Sequence, residues 1–263
     1  MSLFRYARDY YTDAAAEQLV GAGAWLFIAL AGVFVAVHLL RRSRGQPVST
    51  VAAAKLPVSA RVLKYEVGAR VYHWGNSVFV LGLAVTGVAL FEPGSLGGGP
   101  WLLLHEGFAV AFIAALALHI VVASRRGERR SMWFDADDLR DLRLIATNFM
   151  GRTRSYPAFG KYDPLQKLYH AFLTLLAAGV MFSGAYLFLS AEAWATFSHA
   201  WMRMMRVAHD VTAFAFLAIV LGHMYFGVIR VNWPQLVSMW TGRLRGASFN
   251  VYHDAGRWRP RND

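Results

Sequence analysis

Two stretches of this chain, HEGFAVAFIAALALH (residues 105–119) and HDVTAFAFLAIVLGH (209–223), place a histidine at each end of an apolar run. An ionisable side chain inside an apolar helix is costly and is functional by default. Over the step from the first histidine to the second, an α-helix rises about 21 Å and falls roughly 40° short of four turns. His105 and His119 therefore share one helix face, and so do His209 and His223. Imidazole is a standard haem-iron ligand, and facing helices of a bundle supply a slot for a flat ring. The spacing suits two stacked haems, each gripped by imidazoles from two helices. Two imidazoles leave iron no open position, so the chemistry on offer is electron transfer and not oxygen binding. The chain has no cysteine. That excludes disulfides, cysteine-ligated zinc and protein-ligated iron–sulfur clusters.

The elements that must carry these histidines are legible in the composition. Hydrophobic residues make up 56% of the chain and charged residues 16%, and the two kinds come in separate blocks. Five apolar blocks reach the roughly 20 residues that cross a bilayer: about 20–40, 72–91, 101–123, 168–189 and 207–230. The expected fold class is an all-α membrane protein with five spans. The first block is long and follows an acidic stretch, unlike a short basic leader. Lys and Arg concentrate in 41–70, in 125–167 and in the tail from Arg230, while the intervening segments hold only Arg5, Arg8, Arg203 and Arg206. This alternation follows the positive-inside rule and makes the basic segments cytoplasmic. The N-terminus is then periplasmic and the C-terminus cytoplasmic. The net charge of +11 reads as topology and contact with anionic lipid, not as nucleic-acid binding. The expected organisation is an amphipathic outer lead-in (1–19), an extra span (20–40) and a cytoplasmic linker (41–71). A four-helix bundle (72–230) follows, with a cytoplasmic loop at 124–167, and then a cytoplasmic tail (231–263). Within the loop, FDADDLRDLRLIATNF reads as a surface helix.

The last four spans hide a repeat. VYHWGNSVFVLGLAVTGVALF aligns with LYHAFLTLLAAGVMFSGAYLF, and 105–119 aligns with 209–223, as in a duplicated helical hairpin. Topology then gives each histidine a depth. His105 and His209 lie in the outer layer and pair almost without choice. The inner layer offers His73, His119, His170 and His223, and spacing alone does not choose among them. Gly82, Gly87, Gly179 and Gly184 either let a porphyrin approach or serve small-residue helix packing. Arg70 and Arg206 each precede a histidine by one turn, where a guanidinium would reach a haem propionate. His38, His199 and His253 fall at a span end, in an outer loop and in the tail, and read as solvated or interfacial.

From about residue 65 onward the chain resembles the gamma subunit of respiratory formate dehydrogenase, a four-helix dihaem cytochrome b. The matching pieces are RVYHW, TGVALF, LLLHEGFAVAFI, GKYDPLQK and HDVTAFAFLAIVLGHMYFGVI. They span roughly three quarters of the chain. The resemblance implies two haem b groups. It makes His105 and His209 the axial ligands of the outer haem, and His73 and His223 those of the inner. His119 and His170 have no ligand counterpart. It also implies quinone reduction, with menaquinone or ubiquinone, near the inner haem. The candidate residues there are Lys161, Tyr162, Asp163, Gln166 and His170. Asp163-Pro164-Leu165 departs from the family's usual Asn-Ala-Gly. Leu165 does not repeat a glycine's close backbone approach, and Asp163 reads equally as a helix cap.

By that resemblance, electrons come from an iron–sulfur subunit and a molybdenum or tungsten catalytic subunit on the periplasmic side of a bacterial inner membrane. The chain itself holds no candidate for formate chemistry. Two alternatives stand beside this reading: the cytochrome b of a hydrogenase or other quinone-linked oxidoreductase, and a haem-free transporter using its histidines as a proton relay.

Overall fold

A computed structural model describes residues 14–42, 48–49, 55–91, 99–126, 131–149, 152–153, 155–191 and 197–260. Five helices are long and apolar enough to cross a membrane. They are α1 (Ala14–Arg42), α2 (Val67–Phe91), α3 (Pro100–Arg125), α5 (Pro164–Ala191) and α6 (His199–Val228). The surface helix expected in the long loop is α4 (Ala136–Phe149). The last span begins at His199, earlier than its apolar run suggests, because the polar first turns continue the same helix. Of the amphipathic lead-in, residues 1–13 lie outside the described residues, and Ala14 already begins α1. Large apolar side chains such as Leu103, Leu118 and Leu175 point outward, as they do when the neighbouring medium is hydrocarbon.

The chain divides into two compact units. The first comprises the described residues of Met1–Gly32, Tyr72–Ile120 and Leu173–Leu221, and it is built from the long helices. The second comprises those of Val33–Val71, Val121–Phe172 and Gly222–Asp263. It holds the other helix ends and all of the short elements. Those are β1 (Val48–Ser49), β2 (Arg61–Leu63), β3 (Ser155–Tyr156), α7 (Trp233–Thr241), β4 (Arg243–Arg245) and α8 (Gly246–Tyr252).

The second unit shows what composition did not: the linker and the tail fold together. β2 and β4 pair antiparallel, with Val62 opposite Leu244, and β1 pairs parallel with β3. Val62, Leu244 and Phe249 form a small buried core with Leu56, Ala255 and Trp258 against it. Burying each such side chain contributes roughly 1.5–3 kcal/mol. The Asn250 side chain bonds both the amide and the carbonyl of Leu56, each at 2.8 Å. Helix α7 ends at Gly242 in the left-handed region (φ 80°), where its amide bonds the Ser238 carbonyl, a normal glycine C-terminal stop. Helix starts are written just as locally. Asp135 and Asp138 exchange amide-to-carboxylate bonds of 2.9 Å at the head of α4. Asp163 Oδ1 accepts from the amides of Leu165 (2.5 Å) and Gln166 (3.2 Å), while Gln166 Oε1 accepts from the Asp163 amide at 3.2 Å. Both are reciprocal capping boxes.

Gly246 shows how tightly tail meets linker. Its amide donates to the Ala60 carbonyl at 2.7 Å, and a Cβ built on it would strike the Pro57 carbonyl oxygen. Gly246→Ala is expected to weaken this packing by about 1–3 kcal/mol, the range for forcing extra atoms into a filled site. Hydrogen exchange at the amides of 243–250 reads the loss directly. Unchanged protection would show that the strands part without strain.

Candidate haem centre

His105 and His209, the pair expected at the outer level, both fall in the first unit. His105 projects from α3 and His209 from α6, and their ring centroids lie 6.3 Å apart at an interplanar angle of 77°. Two imidazoles bound to opposite sides of one metal ion, each bond about 2 Å, hold their centroids roughly 6 Å apart. The separation observed is compatible with an axial ligand pair and equally with an edge-on contact between two rings. Among the described residues no group of three or more metal-ligating side chains converges.

The repeat explains how each imidazole is held. Thr86 is buried on α2 and its hydroxyl donates to the Gly82 carbonyl at 2.7 Å. Its single proton is thereby used, so its 2.8 Å contact with His105 Nδ1 makes the imidazole the donor. Ser183, buried on α5, does the same in the second half. It donates to the Gly179 carbonyl at 2.7 Å and accepts from His209 Nδ1 at 3.2 Å. The Val180 carbonyl lies 3.2 Å from the same Nδ1, and a carbonyl only accepts. With each hydroxyl proton given to its own helix, both imidazoles take the Nδ1–H tautomer, which leaves the Nε2 lone pairs available to a metal. Neither Nε2 has a hydrogen-bond partner among the described residues.

The glycines serve these same contacts. A Cβ on Gly87 would meet His105 Cε1 at 3.4 Å, and one on Gly184 would meet His209 Cε1 at 3.1 Å. Gly82 sits against the Phe108 ring and Gly179 against Thr212. All four face side chains of neighbouring helices, which is the packing alternative, but two of them face the candidate ligands themselves.

The family follows from the chain's own sequence. The model of the prokaryotic cytochrome b561 family matches residues 64–242, more than half of the chain. The chain belongs to that family. No curated protein matches it. Cytochromes b561 of this kind are membrane proteins that carry electrons on haem b, so this is a multi-pass bacterial membrane cytochrome b. The His105–His209 geometry fits such a group.

The other candidates are placed as follows. His73 lies in the first unit, its ring 4.9 Å from that of Trp74. His223 lies in the second, stacked on Tyr169 at 5.0 Å. His119 stacks closely on Tyr72, with centroids 3.9 Å apart at 8°. Arg206 reaches Asp210 on its own helix at 3.4 Å. Arg70 Nη1 donates to the Trp240 carbonyl at 2.5 Å, and its buried Nε has no acceptor among the described residues. Lys161 and Tyr162 are half-buried, with the ammonium 5.4 Å from the ring centre. Asp163 and Gln166 are engaged in the α5 cap, and His170 is exposed.

Of the remaining histidines, expected to be solvated or interfacial, one departs from that expectation, His253, while His38 is half-buried at its span end. His38 bonds the Tyr225 hydroxyl at 2.8 Å. His253, expected in a free tail, is 1% exposed. The tail returns beside the GKYD loop: Phe159 and Tyr252 share a backbone bond of 2.9 Å, and His253 Nδ1 donates to the Gly160 carbonyl at 2.7 Å. His253 Nε2 then accepts, lying 3.4 Å from both Lys64 Nζ and Gln235 Nε2. Lys64, 2% exposed, also donates to Gln235 Oε1. His199 is exposed, as its loop position suggests. The sequence reading missed Lys64, Gln235 and His253, because 189 residues separate Lys64 from its histidine and no local pattern joins them.

Burial lowers the Lys64 ammonium to about 7, with Asp163 opposing the shift and Lys161 adding to it. Burial, then the Lys64 charge, lowers His253 to about 3 against the Gly160 bond. Burial raises Asp163, against the two cap amides and the Lys64 charge. For His253 the unfolded tail binds more protons than the docked tail between about 3 and the ordinary histidine value, so docking weakens as pH falls through that window. For Lys64 the window runs from about 7 to the ordinary lysine value, and docking strengthens as pH rises through it. Limited proteolysis of the full chain in detergent is expected to cut residues 243–260 faster at pH 5 than at pH 8. His253→Phe should flatten the acid limb. Equal cutting rates across that range in the wild type would refute the linkage.

Proposed function

We propose that this cytochrome is the membrane-anchoring dihaem subunit of a respiratory formate dehydrogenase-type complex. In this reading His105 and His209 hold an outer haem b, and His73 and His223 hold an inner one. The paired imidazoles of the outer layer, both fixed in the Nε2-ligating tautomer, are the observation that carries it. The inner pair rests on the resemblance of RVYHW and of the final helix to that family. When bound, the two groups supply one-electron carriage between the membrane faces.

The chain's own residues do the rest. Thr86 and Ser183 orient the outer ligands. Arg70, through its Nε, and Arg206, neutralised in part by Asp210, are the donors for haem propionates. Lys161, Tyr162, Asp163, Gln166 and His170 line the quinone end, where menaquinone or ubiquinone takes up two electrons and two protons. The alternation of basic segments supports a periplasmic N-terminus and a cytoplasmic C-terminus. Electrons then enter from a periplasmic iron–sulfur subunit that is fed by a molybdenum or tungsten subunit. Inward electron flow with proton uptake from the cytoplasm stores about 2.3 kcal/mol per charge per 100 mV.

Membership of a haem b family sets aside the haem-free transporter. A hydrogenase or another quinone-linked oxidoreductase would differ in the donor docked outside. Purification of the native complex with identification of its companions separates these: a formate-oxidising molybdenum or tungsten subunit supports the proposal, and a nickel subunit replaces it. A pyridine haemochrome assay is expected to give two b haems per chain. His209→Ala should leave one, with the inner spectrum intact. Two haems retained in that variant would show that the pairing is wrong.

A further inference from the structure

Thr86 and Ser183 occupy the same place in the two halves of the repeat. Each is almost wholly buried, at 2% and 1% exposed. Each hydroxyl donates to a carbonyl of its own helix at 2.7 Å and accepts from the Nδ1–H of a facing histidine. Neither hydroxyl needs the histidine to be satisfied, since a helix carbonyl already takes its proton. The imidazole, by contrast, has an Nδ1–H to place in an apolar layer. The contact therefore exists for the histidine.

We propose that Thr86 and Ser183 are positioning residues of the outer haem, which hold each ligand imidazole in register and make its Nε2 more basic. The inference rests on the ligation proposed above for His105 and His209. A hydroxyl that donates to a carbonyl is a stronger acceptor, because hydrogen bonds in a chain polarise one another. Partial withdrawal of the Nδ1 proton raises electron density at Nε2, as for outer-shell partners of metal-bound histidine in general. A more basic ligand favours ferric over ferrous iron, so these hydroxyls hold the outer potential down.

The two arms are not equal. His105 has one acceptor, Thr86, at 2.8 Å. His209 shares its proton between Ser183 Oγ and the Val180 carbonyl, both at 3.2 Å. Removing Thr86 leaves the His105 donor without its acceptor. Removing Ser183 leaves Val180 still accepting.

The test is a redox titration of the purified full chain, following the two b-haem spectra separately, with the ferric low-spin resonance as a second readout. Thr86→Val keeps the shape and removes the acceptor. It is expected to raise the outer midpoint and shift the outer resonance while the inner haem stays put. Ser183→Ala should produce a smaller shift of the same sign, and Thr86→Ser should restore the wild-type value. If Thr86→Val loses the outer haem while Thr86→Ser keeps it, the acceptor is again what matters. An unmoved outer midpoint in Thr86→Val, an equal shift in Thr86→Ser, or loss of haem in both overturns the proposal. A wild-type chain with no bis-imidazole signal would instead end the ligation reading beneath it.

Discussion

An imidazole in an apolar layer has two nitrogens to satisfy and no water to satisfy them. That constraint organises the first unit. At His105 and His209 one nitrogen is met by a hydroxyl from the facing helix, and the other is left as a lone pair. The hydroxyl is available only because its proton goes back to its own helix. In the second half the next residue adds a steric part: a Cβ on Gly184 would crowd His209 at 3.1 Å, whereas one on Gly87 would meet His105 at the ordinary contact distance of 3.4 Å. Thr86-Gly87 and Ser183-Gly184 are thus the same chemical device, with a tighter steric part in the second half. The tautomer, the ring position and the helix separation are consequently set together, by two residues per half.

Internal duplication gives this device its symmetry, and the departures from symmetry are informative. At the second histidine of each pair, each half of the repeat stacks a tyrosine on the imidazole, Tyr72 on His119 and Tyr169 on His223. The stack is close and nearly parallel in the first half and looser in the second. The duplicated scaffold therefore offers the same imidazole twice and treats the two differently.

Much of this was legible in the sequence, for physical reasons. Five spans follow from the length of the apolar runs, and the histidine faces follow from the helical period. The repeat aligns Thr86-Gly87 with Ser183-Gly184. Whether a hydroxyl turns toward its own helix or across to the next is set by helix–helix distance, which periodicity does not contain. The second unit was opaque for another reason. β2 and β4 are three residues each, too short to show alternation, and their pairing joins segments from opposite ends of the chain. His253 looked solvated because nothing local marks a tail that folds back. Its burial comes from Phe249, Trp258 and the Gly160 carbonyl, only two of which are near in sequence.

The Asp163-Pro164-Leu165 segment, which departs from the Asn-Ala-Gly usual in the formate dehydrogenase gamma subunits it resembles, gains a physical meaning in this setting. Aspartate at the cap and proline at the first helical position form a strong helix start, and Gln166 closes the capping box. Three residues upstream, the Gly160 carbonyl is bound by His253. Lys161 and Tyr162 are therefore pinned from both sides, by a helix cap on one and by the tail on the other. A glycine two residues into the helix would leave such a loop freer to adapt to a ring. The restraint on the upstream side of the loop comes from residues beyond the end of the family match at 242, so how firmly Lys161 and Tyr162 are held depends on how firmly the tail is docked.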